Sequence, residues 1–118
     1  MKSKVCAKVE FVLKMIENLE KLIRRHQGIV NMLSDFEGEA ASLMFLMQIG
    51  EELNKIYKLD SGFLEFVNLD DIKGAYAVRN FIAYDYEGVD LAFIENILRF
   101  RLDDLKFSLK SYKEKICY

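Results

Sequence analysis

Val5-Cys6-Ala7-Lys8-Val9-Glu10-Phe11-Val12-Leu13-Lys14-Met15-Ile16-Glu17-Asn18-Leu19-Glu20-Lys21-Leu22-Ile23 is written in the period of an α-helix. Val5, Val9, Val12, Ile16, Leu19 and Ile23 recur at alternating steps of four and three, which draws one apolar stripe along the whole segment. Glu10, Lys14, Glu17, Lys21 and Arg24 fall off that stripe and mix charge signs, as a solvated face does. A helix of this length with one apolar side needs other helices to cover it.

Downstream, Lys21, Arg24, Arg25 and His26 form a basic cluster that suits a helix C-terminus, where cations meet the negative end of the dipole. An RNA contact is the sharper reading of the same residues and the less favoured one. His26, the only histidine, reads as a surface residue rather than a catalytic one. Gly28 then offers a break. Ser34 or Asp35 is placed to cap a second helix with Glu37 and Glu39 in its first turn. From Ala40 to Ile49 almost every position is apolar, so this helix is expected to be covered on several sides, with Met44 and Met47 as core filler or subunit interface. Gly50 interrupts the pattern at a cost of about 1 kcal/mol against alanine. It marks a close helix approach and sets Glu51 against it. The helix continues through Leu53, Ile56 and Tyr57 to the turn Asp60-Ser61-Gly62.

Phe63, Leu64, Phe66, Val67 and Leu69 make a short apolar link of one or two helical turns. Asp70 or Asp71 is expected to cap a third helix, Gly88 to end it, and Asp90 to cap a fourth. That last helix reads as one long element. Leu91, Ile94, Leu98, Leu102, Leu105 and Leu109 make one stripe, and Phe93, Ile97 and Phe100 a second that asks for a partner. Its end is basic (Lys106, Lys110, Lys113, Lys115), again matched to the dipole. The predicted architecture is all-α: an up-and-down bundle of four main helices plus a short one, with residues 1–118 as a single domain.

Composition bounds the rest. A chain of 118 residues holds one core. It is 52% hydrophobic and 31% charged, which is globular. A net charge of -2 gives no global attraction to nucleic acid or membranes, so RNA binding needs a local basic patch. There is no proline to break helices. Met1 to Val5 carry lysines, but no apolar run of signal-peptide length follows them, and no run approaches the ~18 residues of a membrane span. A cytoplasmic location is the expectation. Cys6 and Cys117 lie near opposite ends; an even number of helices brings such ends together, but free thiols in a reducing cytosol are the favoured reading. Two cysteines and one histidine at these separations show no metal-ligand spacing, and nothing asks for a cofactor.

Arg79-Asn80-Phe81-Ile82-Ala83-Tyr84-Asp85-Tyr86, followed by Gly88-Val89-Asp90, is the chemical stretch. Polar groups at that density, beside apolar Ala75, Ala77 and Val78, are costly near a core unless something uses them. On a continuous helix Arg79 and Tyr86 share a face, and so do Asn80 and Tyr84. An arginine holds phosphate bidentately or stabilises charge developing in phosphoryl transfer. A buried hydrogen-bond network that merely fixes a helix junction explains the same residues as well.

The stretch resembles the Arg-Asn-x-x-x-His-x-Tyr signature of the HepT-like toxins, the minimal-nucleotidyltransferase-associated branch of the HEPN superfamily. Arg79, Asn80, Tyr86, Val89 and Asp90 match in register, and Ile49-Gly50-Glu51 matches an element on the family's preceding long helix. The resemblance covers nearly the whole chain. It implies an all-α toxin that cleaves RNA (tRNA or mRNA) without metal, in a cleft formed where two subunits of a homodimer meet. The site it implies consists of Arg79, Asn80, Tyr84 and Asp85, supported by Glu51. It also implies a nucleotidyltransferase antitoxin that transfers AMP from ATP to Tyr86. One residue departs: Tyr84 stands where the family has histidine. Tyrosine, with a reference pKa of about 10, cannot replace imidazole as a base at neutral pH, and losing such a group removes about 10²–10⁴-fold in rate. The expectation is an impaired or inactive nuclease. The alternative is a non-catalytic helical module that binds a nucleotidyltransferase or a nucleotide, and a third reading is a purely structural bundle.

Overall fold

In the computed structural model, which describes residues 2–117, the long apolar stripe forms α1 (Lys2–Arg25). Val5, Val9, Val12, Ile16 and Leu19 are buried along it. Gln27 at φ 61° and Gly28 at φ 135° then turn the chain. Gly28 donates its N–H to the Ile23 carbonyl at 3.0 Å, which closes the helix end. The φ at Gly28 is one that side chains avoid, so glycine is needed there.

A short α2 (Ile29–Ser34) follows, with Met32 and Leu33 buried. Its six residues are too few for a periodic signal, so the sequence does not announce it. Asp35 accepts a hydrogen bond from Gly38 N at 3.0 Å and caps α3 (Phe36–Leu59). His26 bridges this junction: Nδ1 lies 3.0 Å from the Leu22 carbonyl and Nε2 3.2 Å from Asp35 Oδ2. It is a bonded clip between α1 and α3, where a surface residue was expected. The Gly38 hydrogen bond first, and then the His26 contact, hold the Asp35 carboxyl below the usual aspartate value.

α3 packs between α1 and α4 (Leu69–Tyr84). Leu43, Leu46, Ile49, Leu53 and Ile56 are buried, but Ala40 and Met44 stay exposed. The expected cover on several sides is therefore incomplete in the isolated chain. After α3, Asp60 Oδ1 accepts from Gly62 N at 3.0 Å and starts the 3₁₀ turn Ser61–Glu65, the short link read from the sequence. The cap of α4 is Asn68, whose Oδ1 accepts from Asp70 N at 2.7 Å. Asp70 and Asp71, expected as caps, sit in the first turn and face the positive end of the dipole.

α4 ends at Tyr84, earlier than Gly88, and Tyr86–Gly88 form a separate 3₁₀ turn. A side chain at Gly88 would collide with the Asp85 carboxylate, so this glycine is set by close approach. Asp90 caps α5 (Leu91–Phe100) by accepting from Ala92 N at 3.0 Å. The last helix, read as one, is two: Arg101 separates α5 from α6 (Leu102–Ile116). No glycine or proline announces that junction. Buried Leu98 and Leu102 flank it, and Arg101 pairs with Asp71 of α4, so long-range packing holds it.

α6 runs antiparallel to α1: Lys106 meets Glu20 at 2.9 Å and Lys113 meets Glu10 at 2.5 Å. This brings Cys117 beside Cys6, Cα to Cα 5.9 Å, and the two form a disulfide. The favoured reading of free thiols is corrected: the closing helix returns to the N-terminus of the first. The described residues form an all-α bundle without strands. No helix among them is long and apolar enough to cross a membrane. Between α4 and α5 an apolar groove of about 510 Å³ stays open, lined by Ile49, Ala75, Val78, Phe93, Ile97 and Phe100.

Candidate functional site

The site begins with a helix contact. Gly50 of α3 lies so close to α4 that a Cβ there would strike the Ala75 carbonyl and the Arg79 side chain. That closeness lets the next residue reach across. Glu51 Oε2 lies 2.6 Å from Arg79 Nε. This oxygen is shut from solvent and accepts no directed hydrogen bond, so the contact is a charge pair off the N–H axis. Arg79 Nη1 donates to Asn80 Oδ1 at 2.9 Å. The guanidinium also lies 5.7 Å from the centre of the Tyr76 ring, within cation–π range.

Burial disfavours the charge on Arg79, but a hydrogen bond with Tyr84 and the Glu51 carboxylate outweigh it and raise its pKa. The guanidinium is thus held charged and aimed, with about a quarter of its side chain exposed. Tyr84, in the last turn of α4, is 82% exposed.

Four of the six residues singled out in the sequence therefore come together: Glu51, Arg79, Asn80 and Tyr84. Asp85 and Tyr86 do not join them here. Asp85 ends α4 and rests against Gly88, and Tyr86 sits in the following turn with its ring 46% exposed. The shared face expected for Arg79 and Tyr86 assumed a helix through both. The helix stops two residues short, at Tyr84, so the two side chains do not share a helical face.

Tyr76 was missed, although it precedes Arg79 by one helical turn and the spacing could have found it. Phe11, Met47, Gln48 and Glu52 were missed as well. With Glu51 and Arg79 they line a groove of about 230 Å³ beside the guanidinium. Nothing in the sequence brings Phe11 of α1 to this place; only the packing of α1 on α3 does. No group of three or more His, Cys, Asp or Glu among the described residues is placed to hold a metal ion.

An all-α bundle carrying an Arg-Asn pair and a tyrosine on one helix, braced by a glutamate on the next, defines a class of small helical proteins. The family is specific: the model of the HepT-like ribonucleases matches residues 12–111, and the chain belongs to that family. No curated protein and no solved structure shows significant similarity to it.

Proposed function

We propose that this chain is the toxin subunit of a toxin–antitoxin pair, with a metal-independent RNase site that Tyr84 impairs. The observation that carries this reading is the arrangement at Arg79: one guanidinium, fixed by Glu51 and Asn80, with Tyr84 beside it in the last turn of α4. By the sequence resemblance, Tyr84 stands at the family's histidine position. In RNA cleavage the 2′-hydroxyl attacks the adjacent phosphorus, and negative charge grows on the phosphate oxygens. A charged, pre-aimed guanidinium stabilises that charge. The proton of the 2′-hydroxyl needs a base, and the leaving 5′-oxygen needs an acid. An imidazole serves both roles near neutral pH; a phenol keeps its proton there. Asn80 orients Arg79, and Asp85 follows Tyr84 in sequence at the end of α4.

The functional unit in this proposal is a homodimer whose cleft lies between two copies of α4. The apolar groove between α4 and α5 supports it, since Phe93 is 55% and Phe100 68% exposed in the isolated chain. α4 carries both the groove residues and Arg79, so a second copy on the groove brings two sites near each other. Tyr86, exposed in its turn, is the proposed acceptor of AMP from a nucleotidyltransferase antitoxin. Its phenol oxygen attacks the α-phosphate of ATP and pyrophosphate leaves. The added phosphate then blocks the Arg79 cleft. RNA, tRNA or mRNA, is the proposed substrate, and the proposed location is the cytoplasm.

The test is cleavage of total RNA and tRNA, in the presence of a chelator, by this protein beside its Tyr84→His variant. We expect the histidine form to cut about 10²–10⁴-fold faster and Tyr84→His/Arg79→Ala to lose the gain. If neither form cuts, the nuclease reading fails. The presence of Tyr84 would then favour the alternative, a non-catalytic module that holds a nucleotidyltransferase or a nucleotide.

A further inference from the structure

We infer that the groove bounded by Phe11, Met47, Gln48, Glu51, Glu52 and Arg79 is a base-binding subsite for single-stranded RNA. It stacks one unpaired base on Phe11 and accepts hydrogen bonds from the N–H groups of that base's edge. The inference rests on the proposed RNA chemistry and adds to it the place and preference of the base beside the reacting phosphate.

Position comes first. The groove opens onto Arg79, the residue proposed to meet the phosphate, and its volume of about 230 Å³ admits one flat ring system with its solvent. The wall chemistry fits a base. Phe11 lies off the buried stripe of α1, lines the groove and leaves 39% of its surface exposed. Unpaired bases stack on such faces whatever their sequence. Gln48 also lines the groove, and its carboxamide makes no hydrogen bond among the described residues. Glu51 lines the groove too, with its Oε2 shut from solvent against Arg79 Nε at 2.6 Å.

The charges sort phosphate from base. Lys8 lies 3.3 Å from Glu52, and Lys55 lies 3.6 Å from Glu52 and 3.9 Å from Glu51. With Arg79, three cations surround two carboxylates, a local excess of positive charge in a chain whose net charge is -2. Phosphate is therefore drawn to the rim, where the lysines stand. The floor, carrying the carboxylates, accepts N–H groups and repels carbonyl oxygens. Adenine and cytosine present an exocyclic amino group to it. Uracil presents one N–H flanked by two carbonyl oxygens, which the carboxylates disfavour. The subsite thus selects amino-bearing bases over uracil.

Fluorescence anisotropy of labelled oligo(A), oligo(C) and oligo(U) with the unaltered protein tests this without any need for cleavage. We expect oligo(A) and oligo(C) to bind about tenfold tighter than oligo(U). Phe11→Ala is expected to weaken oligo(A) about tenfold, and Gln48→Ala to narrow the gap between oligo(A) and oligo(U). Thermal melts confirm that both variants fold, and Gln48→Ala, on a half-exposed side chain, keeps the test open if Phe11→Ala does not. Equal binding of the three oligomers, or tightest binding of oligo(U), with no response to either substitution overturns the subsite. If Arg79→Ala still releases the RNA in that case, the proposed RNA function stands. No binding of any oligomer overturns both.

Discussion

At Gly50 the absence of one methyl group positions the chemistry. Any side chain there meets the Ala75 carbonyl of α4, and α3 and α4 would have to separate. Glu51 would then no longer reach Arg79. Gly50→Ala therefore tests packing and site together. Alanine gains about 1 kcal/mol of helix propensity, but overpacking a tight contact costs about 1–3 kcal/mol. We expect a net loss of up to about 2 kcal/mol in urea unfolding, and loss of the RNA cleavage restored by Tyr84→His. An unchanged midpoint with full activity would show that the helices have room to spare. The glycine interruption at position 50 was visible in the sequence and so was Glu51 beside it. That Arg79 is the residue across the gap was not, because a periodic pattern shows which face is buried but not which neighbour it meets.

At the scale of elements, α6 is anchored by one buried ring. Tyr112 stands edge-on to Phe63 and Phe66, with centroids 5.2 Å away in each case, and donates its hydroxyl proton to Asp60 Oδ2 at 2.6 Å. The same carboxylate caps the 3₁₀ turn through its other oxygen, so one aspartate ties α6 to the end of α3. Burial first, and then the Asp60 bond and charge, push the Tyr112 hydroxyl well above the usual 10.0. A raised folded value means that the stabilisation is fully present below pH 10.0 and is lost as the pH climbs toward that folded value. Tyr112→Phe should cost about 1–2 kcal/mol at neutral pH. It should also flatten the fall of melting temperature above pH 10, which a pH series of thermal melts reads directly. A parallel alkaline decline in both proteins would move the cause to another group.

Element boundaries followed local chemistry where side chains announce them. Asp90 was expected as a cap and Asp35 as one of two candidates beside Ser34, because the signal is one residue and its neighbour two or three positions on. Asn68 was missed for Asp70 and Asp71, since three capping residues within four positions compete and the acids also suit the first turn. The break at Arg101 was invisible: the stripe through Leu98, Leu102 and Leu105 continues across it, and the pair with Asp71 that marks the junction spans thirty residues.

For the whole molecule, the Cys6–Cys117 bridge closes almost the entire chain into one loop across 111 residues. Such a link restricts the unfolded ensemble, and removing a native disulfide typically costs about 2–5 kcal/mol. Adding dithiothreitol should lower the urea midpoint accordingly, with the helical signal of the native state retained, because the Lys113–Glu10 and Lys106–Glu20 pairs and Tyr112 still hold α6. An identical midpoint in both conditions would indicate that the thiols stay free in solution. Assembly is a second property of this scale. The exposed Phe93 and Phe100 border the apolar groove between α4 and α5. If a second copy covers them, Phe93→Glu converts a dimer to a monomer in sedimentation velocity, without a large change in melting of the isolated chain. A wild-type monomer at micromolar concentration would set the dimer proposal aside.

What the chain determined by its sequence alone was its helical character and the helices' apolar faces, because both follow from a period of 3.6 that neighbouring residues set. The motif residues Arg79, Asn80 and Tyr84, with Glu51, were marked in the same way, as an unusual density of polar groups in an apolar setting and as a family signature. Tertiary structure decided the rest. It chose which helix faces which, placing Phe11 and Gln48 beside Arg79. It stopped α4 before Tyr86, split the last helix at Arg101, and brought Cys117 to Cys6. Each of these depends on contacts between residues far apart in the chain, whose energies add up only after the helices have met.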